Sequence, residues 1–264
     1  MLAENFGEAW IKIDLPFPCE IHYCRPRAQP RPDRFSVLLL SGEPAPLRMT
    51  VDEVRGRQEQ FDLILTADPG LLDLPQARFF IFGDIWVDAV PREKTYSLSY
   101  LWSRGIGQAW DGYRLREQVW QLAGRIVLPK RFWYSRQRPP EGMTAADAVY
   151  PYESKAPLFE SMFSLAIENI REESYFSEKL LDAFRTYTLP IYFGCPNIAD
   201  YFNADGIIVV DDADDLVAKV NRLTPDDYWD RVGVMAENRA RAGNYADPVG
   251  RLRQLIVAAR SACP

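Results

Sequence analysis

The sequence predicts an α/β fold of two Rossmann-like halves, each a parallel sheet with helices on both faces. Three observations predict it. Short runs of consecutive apolar residues, ended by turn residues, have the length and composition of strands buried on both sides. Segments of helical period lie between those runs, as the crossovers of a parallel sheet require. The alternation starts afresh near Pro91-Arg92-Glu93-Lys94, which divides the 264 residues into a half over 1–92 and a half over 93–264.

In the first half, Phe35 to Leu40 is a continuous apolar run, and Ser41-Gly42-Glu43-Pro44 ends it as a loop ends a buried strand. Met49 to Glu59 is polar and reads as a helix. Phe61 to Leu65 and Arg78 to Phe82 read as further strands, stopped by Asp68-Pro69-Gly70 and Gly83-Asp84. The second half opens with a strand over Thr95 to Leu101. Asp111 to Arg125 then places Tyr113, Leu115, Val119, Leu122 and Ala123 near one helical face. Residues 131–156 are polar and proline-rich, with Pro139-Pro140 at the centre, and read as a long loop.

The pattern then resumes. Met162 to Ile167 is a strand, and Ser177 to Arg185 is a helix with Leu180, Leu181 and Phe184 inward. Leu189 to Phe193 and Gly206 to Val210 are strands, and Asp214 to Leu223 is a helix. Thr224-Pro225 is an N-cap with proline at the first helical position. The remainder is helical, broken around Gly243 to Gly250.

Composition narrows the chemistry. A net charge of −6 argues against a general nucleic-acid binder, but leaves room for a local basic pocket. The four cysteines and the single His22 have no zinc-ligand spacing. A Cys19–Cys24 disulfide is sterically feasible, with reduced thiols the expectation. No apolar run approaches the roughly 20 residues of a membrane span. The expectation is a soluble, cytoplasmic protein, with peripheral membrane contact left open. His22 stands among apolar neighbours and reads as structural, so a general base is expected to be a carboxylate. No G-x-G-x-x-G opens either half, which disfavours a nicotinamide enzyme.

One stretch is recognisable. Ile167-Glu168-Asn169, then Tyr175-Phe176-Ser177-Glu178-Lys179, then Pro190-Ile191-Tyr192-Phe193-Gly194-Cys195-Pro196 resembles the donor-binding core of the α1,3-fucosyltransferases, glycosyltransferase family 10. In that family a strand ending Phe-Glu-Asn precedes Tyr-x-Thr-Glu-Lys, a helix and a Pro-Ile/Val-Tyr-Trp/Tyr-Gly-x-Pro strand. Ile167 here replaces the usual Phe, Ser177 replaces Thr, and Ile170 stands where a small polar residue is common. The resemblance is close over Tyr150 to Tyr245, looser over Lys94 to Arg125, and thin before that.

It implies a GT-B fold, two Rossmann-like domains facing each other across a cleft, with 1–92 on the acceptor side and 93–264 binding the donor. The implied activity is inverting, metal-independent transfer of L-fucose from GDP-fucose to a glycan hydroxyl, with no further cofactor. The partners are then a nucleotide-sugar donor and a carbohydrate or glycoconjugate acceptor. Two alternatives remain: the same chemistry with another nucleotide sugar, or a non-catalytic sugar- or nucleotide-binding protein.

Carried over residue by residue, the resemblance implies that Lys179 and Arg116 bind the diphosphate, with Arg114 and Arg104 as rivals for the arginine. Cations and a helix N-terminus can stand in for a metal there. Glu178 is implied at ribose or sugar hydroxyls or at the developing oxocarbenium charge. Tyr175 is implied at the nucleotide or sugar, or in the core. Glu168 and Asn169 end a strand at the carboxyl edge, where ligands gather in open α/β sheets, or simply cap a loop. Glu43 is implied as the general base, against an ordinary turn glutamate. Asp211-Asp212-Ala213-Asp214-Asp215 is the one acidic cluster and reads as helix capping, not as a metal site. For the acceptor, Trp10, Phe17, Tyr23 and Trp86 are aromatic candidates, and core packing explains most of them equally well.

Overall fold

The computed structural model describes residues 4–6, 13–26, 29–103, 109–134 and 154–262. The chain divides into two compact units, Met1–Gly83 with Asp247–Pro264, and Asp84–Ala246.

In the first unit β1 (Glu4–Phe6), β2 (Cys19–Tyr23), β3 (Phe35–Leu40), β4 (Leu63–Thr66) and β5 (Ala77–Phe79) form one parallel sheet in sequence order. The two-residue period of β3 and β4 sorts their side chains. Leu38, Leu40 and Ile64 go to one face, with Val54 of α1 (Val51–Arg55), Phe61 and Leu71. Thr50 and Glu53 start α1 with a capping box, and Gly56 ends it, so this helix is shorter than the polar stretch from Met49 to Glu59 suggests.

β2 has no counterpart among the predicted strands because Glu20 and His22 interrupt its apolar pattern. Both are fully buried: His22 Nε2 lies 3.0 Å from Glu20 Oε1, and Arg31 Nε donates to Glu20 Oε2 at 3.0 Å. No disulfide joins Cys19 to Cys24, and burial pushes the Cys19 thiol up to about 12.

The second unit contains β6 (Thr95–Trp102), α2 (Asp111–Gln121), β7 (Lys130–Tyr134), β8 (Ser161–Ile167), α3 (Glu178–Arg185), β9 (Leu189–Phe193), β10 (Ile208–Val209), α4 (Ala213–Val220), α5 (Pro225–Trp229) and α6 (Val232–Ala242). All five strands are parallel, in the order β7-β6-β8-β9-β10. Succession along the chain therefore reverses between β6 and β8. Crossovers leave these two neighbours toward opposite sides, and their carboxyl ends flank the crevice where open α/β sheets bind ligands. Leu115, Val119 and Trp120 of α2 pack with Leu216, Val217 and Val220 of α4 against β6, β8 and β9. On α3 the inward residues include Leu180, Leu181, Ala183 and Phe184.

The loop expected over 131–156 begins inside β7, whose Phe132 and Trp133 are buried against neighbouring strands and turns. Pro139 and Pro140 lie outside the described residues. The last helix, α7 (Pro248–Ala262), belongs to the first unit. Its Leu252 and Ile256 cover the sheet face formed by Ile21, Phe35, Val37, Leu39, Leu63 and Leu65, and Arg251 Nη1 donates to Ile81 O at 3.0 Å. Residues 247–264 thus leave the 93–264 half in which the sequence puts them. That face of the first sheet is apolar and needs a helix.

Candidate functional site

The crevice between β6 and β8 is built by close approach. Gly112, the second residue of α2, faces the end of β8 so tightly that a Cβ there would lie 1.9 Å from Glu168 O. This brings Arg116, one turn later, under the strand end. Its side chain is buried at 3% exposure. Nε and Nη2 donate to Ile167 O at 3.2 and 2.5 Å, and Nη2 donates to Asn169 Oδ1 at 2.9 Å. The Tyr113 ring lies 4.6 Å from the guanidinium carbon. Nη1 donates to no described residue, which leaves one edge of the fork open. Of its rivals, Arg114 is exposed and Arg104 lies outside the described residues.

Glu168 has no exposure at all. It accepts from Ser177 N at 2.8 Å and from Ser177 Oγ at 2.7 Å, and Lys179 Nζ stands 3.6 Å from its Oε2. Its stem occupies the space over Gly194, where a Cβ would lie 2.6 Å from Glu168 Cγ and 2.5 Å from the Tyr192 hydroxyl. Only glycine fits at that place. Ser177 is the N-cap of α3, and its hydroxyl also accepts from Lys179 Nζ at 2.9 Å. The cap residue therefore links the buried Glu168 to the cation.

Glu178 opens α3, and two ammonium groups share its Oε1: Lys155 Nζ at 2.9 Å and Lys179 Nζ at 3.5 Å. Burial works against this carboxylate, but Lys179 and Lys155 outweigh it and hold the group well below the usual range. Burial likewise opposes charge on Lys179, and the Glu178 and Glu168 carboxylates reverse that, so it stays protonated. One turn on, Asp182 behaves differently. Burial dominates and pushes its carboxyl up to about 7. Its Oδ1 accepts from Trp86 N at 2.7 Å and Val87 N at 3.1 Å, while its Oδ2 is buried with no hydrogen-bond partner among the described residues.

These groups line one cavity of about 320 Å³ in the second unit: Arg116, Asn169, Glu178, Lys179, Lys155 and Asp182, with Trp86, Tyr100 and Tyr113 among the aromatic walls. Tyr175 is buried in the loop before α3 and does not line it. Glu43 lies in the other unit, half-buried in the turn after β3, where Gly42 takes a φ of 102° and Ser41 Oγ accepts from Phe82 N at 2.8 Å.

The acidic cluster is spent on structure. Asp212 caps α4 by accepting from Asp215 N at 2.8 Å, and Asp211, Asp214 and Asp215 pair with Arg171, Arg125 and Lys219. Among the described residues no group of three His, Cys, Asp or Glu side chains is placed to hold a metal ion, and no helix is long and apolar enough to cross a membrane.

Lys155 and Asp182 escaped sequence reasoning. Lys155 sits at the edge of a proline-rich stretch with no period to mark it. Asp182 did leave a signal: it is a charge on the inward face of an apolar helix, four residues after Glu178.

No family model matches the chain. It is 40% identical over 50 residues to the alpha-(1,3)-fucosyltransferase FucT of Helicobacter pylori, a stretch covering 19% of this chain and 10% of that protein. It is 38% identical over 93 residues to an alpha-(1,4)-fucosyltransferase of Arabidopsis thaliana, covering 31% of this chain and 21% of that protein. The matched stretches thus span a minor part of both relatives. Among solved structures, an alpha1,3-fucosyltransferase superposes with a TM-score of 0.56 at 13% identity, over 92% of this chain and 78% of that one. HepE of Anabaena in complex with UDP-glucose superposes with a TM-score of 0.58 at 10% identity, over 87% and 72%. The fold is GT-B, an α/β architecture of two Rossmann-like domains, and the sequence resembles the α1,3/1,4-fucosyltransferases.

Proposed function

We propose that this protein is a glycosyltransferase that moves a fucosyl group from GDP-fucose to a carbohydrate hydroxyl, with inversion and without a metal. One observation carries the reading. Arg116 and Lys179, drawn from two helices and the two sides of the β6/β8 crevice, line a single cavity together with Glu178 and Asn169. Cleaving the bond between the sugar and the diphosphate leaves negative charge on the diphosphate. Cations fixed beforehand stabilise that charge without reorganising as it forms. In this reading the open Nη1 of Arg116 and the ammonium of Lys179 meet the phosphates, and Glu178 faces ribose or sugar hydroxyls.

The acceptor hydroxyl attacks the anomeric carbon from the face opposite the diphosphate. Its proton passes to a carboxylate, for which Glu43 is our candidate, and the nucleoside diphosphate leaves. The first unit is then the acceptor side and the second unit the donor side. No other cofactor takes part, and the cytoplasm is the proposed location.

The test is release of nucleotide from GDP-fucose, UDP-glucose and other nucleotide sugars, with and without a mixture of carbohydrate acceptors. Acceptor-dependent release of GDP from GDP-fucose is expected. Release from a different donor would keep the chemistry and change the sugar. Binding of GDP with no turnover of any donor would leave a nucleotide-binding protein and end the proposal.

A further inference from the structure

The cavity contains a third cation that the diphosphate reading leaves without a task. Lys155 Nζ shares Glu178 Oε1 with Lys179 Nζ, at 2.9 and 3.5 Å. It also sits 3.8 Å from the centre of the Trp86 ring. That ring is itself fixed. Asp182 Oδ1 accepts from the Trp86 backbone N–H at 2.7 Å, and Asp84 Oδ2 accepts from the indole Nε1 at 2.9 Å. Lys155 is therefore seated by an aromatic face and a carboxylate, both on elements of the same unit.

Three cations, Lys155, Lys179 and Arg116, line the cavity against the two carboxylates of Glu178 and Glu168, so positive charge is in surplus. The side chains of Lys155, Lys179 and Glu178 are only 20%, 25% and 13% exposed, so water screens the surplus charge poorly. Asp182, the other carboxylate near Lys155, is pushed up to about 7 and relieves only part of it. Beyond Glu178, Lys179 also leans on Glu168, whereas Lys155 makes no other ion pair among the described residues. A half-buried positive pair around a shared oxygen is a seat for an anion carrying more than one charge.

We propose that Lys155 is a ligand-binding residue of this cavity. With Lys179 it forms a two-ammonium seat for the diphosphate of a nucleoside diphosphate, while Glu178 and the Trp86 ring hold it in place. This rests on reading the cavity as a nucleotide-sugar site, and the experiment separates the two.

Titration calorimetry with GDP, and with UDP as a second probe, is run on the wild type, Lys155→Met, Lys155→Arg and Lys179→Met. Methionine keeps the apolar stem against Trp86 and removes the charge. Lys155→Met should weaken GDP binding about tenfold to a hundredfold, and Lys155→Arg should restore most of it. GDP affinity unchanged in Lys155→Met but lowered in Lys179→Met overturns this inference alone. Absence of binding of either nucleotide by the wild type overturns the site reading and this inference with it.

A second measurement needs no variant. Lysine acetylation of the wild-type protein, followed by mass spectrometry, should be slowed several-fold at Lys155 by saturating GDP. An unchanged rate there, with Lys179 protected, also overturns the inference.

Discussion

Replacing Asp182 by Asn should stabilise the protein at pH 8 and leave it nearly unchanged only below about pH 4. Asp182 is fully buried, and burial pushes its carboxyl from the ordinary 3.8 up to about 7, against the weaker pull of Lys155 and of the Trp86 and Val87 N–H groups. The native state therefore holds this proton more tightly than the unfolded chain. Between those two values the unfolded chain has lost the proton while the native state keeps it. Stability from this group is thus full below about pH 4, falls as pH rises toward 7, and levels off above. The gap corresponds to about 4 kcal/mol at most, and relaxation around the charge brings the expected figure to about 1–3 kcal/mol.

Asparagine is neutral at every pH. It keeps an oxygen for the Trp86 and Val87 N–H groups and places amide protons where Oδ2 has no partner. Thermal unfolding of wild type and Asp182→Asn from pH 5 to pH 8 reads the difference. For a chain of this size each kcal/mol moves Tm by roughly 2–4 °C. The variant should melt about 2–12 °C higher at pH 8, with the gap narrowing toward pH 5 and closing only below about pH 4. A variant that melts lower throughout, or by a constant amount at every pH, would refute the account of a strained, buried carboxylate.

Four further outcomes are expected. Arg116→Ala and Lys179→Ala should each weaken GDP binding about tenfold to a hundredfold by calorimetry, since each removes a charge-assisted contact. Glu43→Gln should lower the transfer rate about 10²–10⁴-fold with GDP affinity unchanged, and near wild-type transfer would move the base elsewhere. Transfer should persist in EDTA, whereas full loss on chelation with recovery in Mn²⁺ would reopen the acidic cluster. Gly194→Ala should cost about 1–3 kcal/mol in urea unfolding by overpacking Glu168 and Tyr192, and unaltered stability would show that the loop yields freely.

Where the sequence was legible, the reason is local. Phe35 to Leu40 and Leu189 to Phe193 are observed as strands with the bounds read from their apolar runs, because strands buried on both faces carry no polar interruption. Thr224 caps α5 with Pro225 at its first position, as that pair of residues demands. The illegible parts depend on partners far along the chain. Glu20 and His22 make β2 look unlike a strand, and only Arg31 and the fold around them make their burial tolerable. The period of α7 shows an apolar face but not which sheet it covers. Lys155 belongs to no pattern at all; its meaning comes from Trp86 and Glu178, 69 residues before it and 23 after it.

The motif that carries the resemblance is as much a packing device as a chemical one, and Glu168 shows why. Its carboxylate has no exposure. Both of its oxygens instead hold Ser177, and Ser177 caps α3 and holds Lys179 Nζ. Gly194 leaves room for the Glu168 stem, and Gly112 lets α2 come close enough for Arg116 to bind the carbonyl one residue earlier. Four residues, Gly112, Glu168, Ser177 and Gly194, therefore fix two cations in one crevice before any ligand arrives. Such prior fixing is what makes a charged site effective, because ordering the groups during binding would consume much of the interaction. In the proposed reading Glu168 is a positioning residue, acting through Ser177 and Lys179. Glu168→Gln should accordingly keep the α3 cap through its amide oxygen, lose one of the two carboxylates that raise the Lys179 ammonium, and shift the pH dependence of GDP binding more than its magnitude at neutral pH. Titrations of GDP affinity from pH 6 to pH 10 that superpose for wild type and variant would show that Lys179 owes its charge to Glu178 alone.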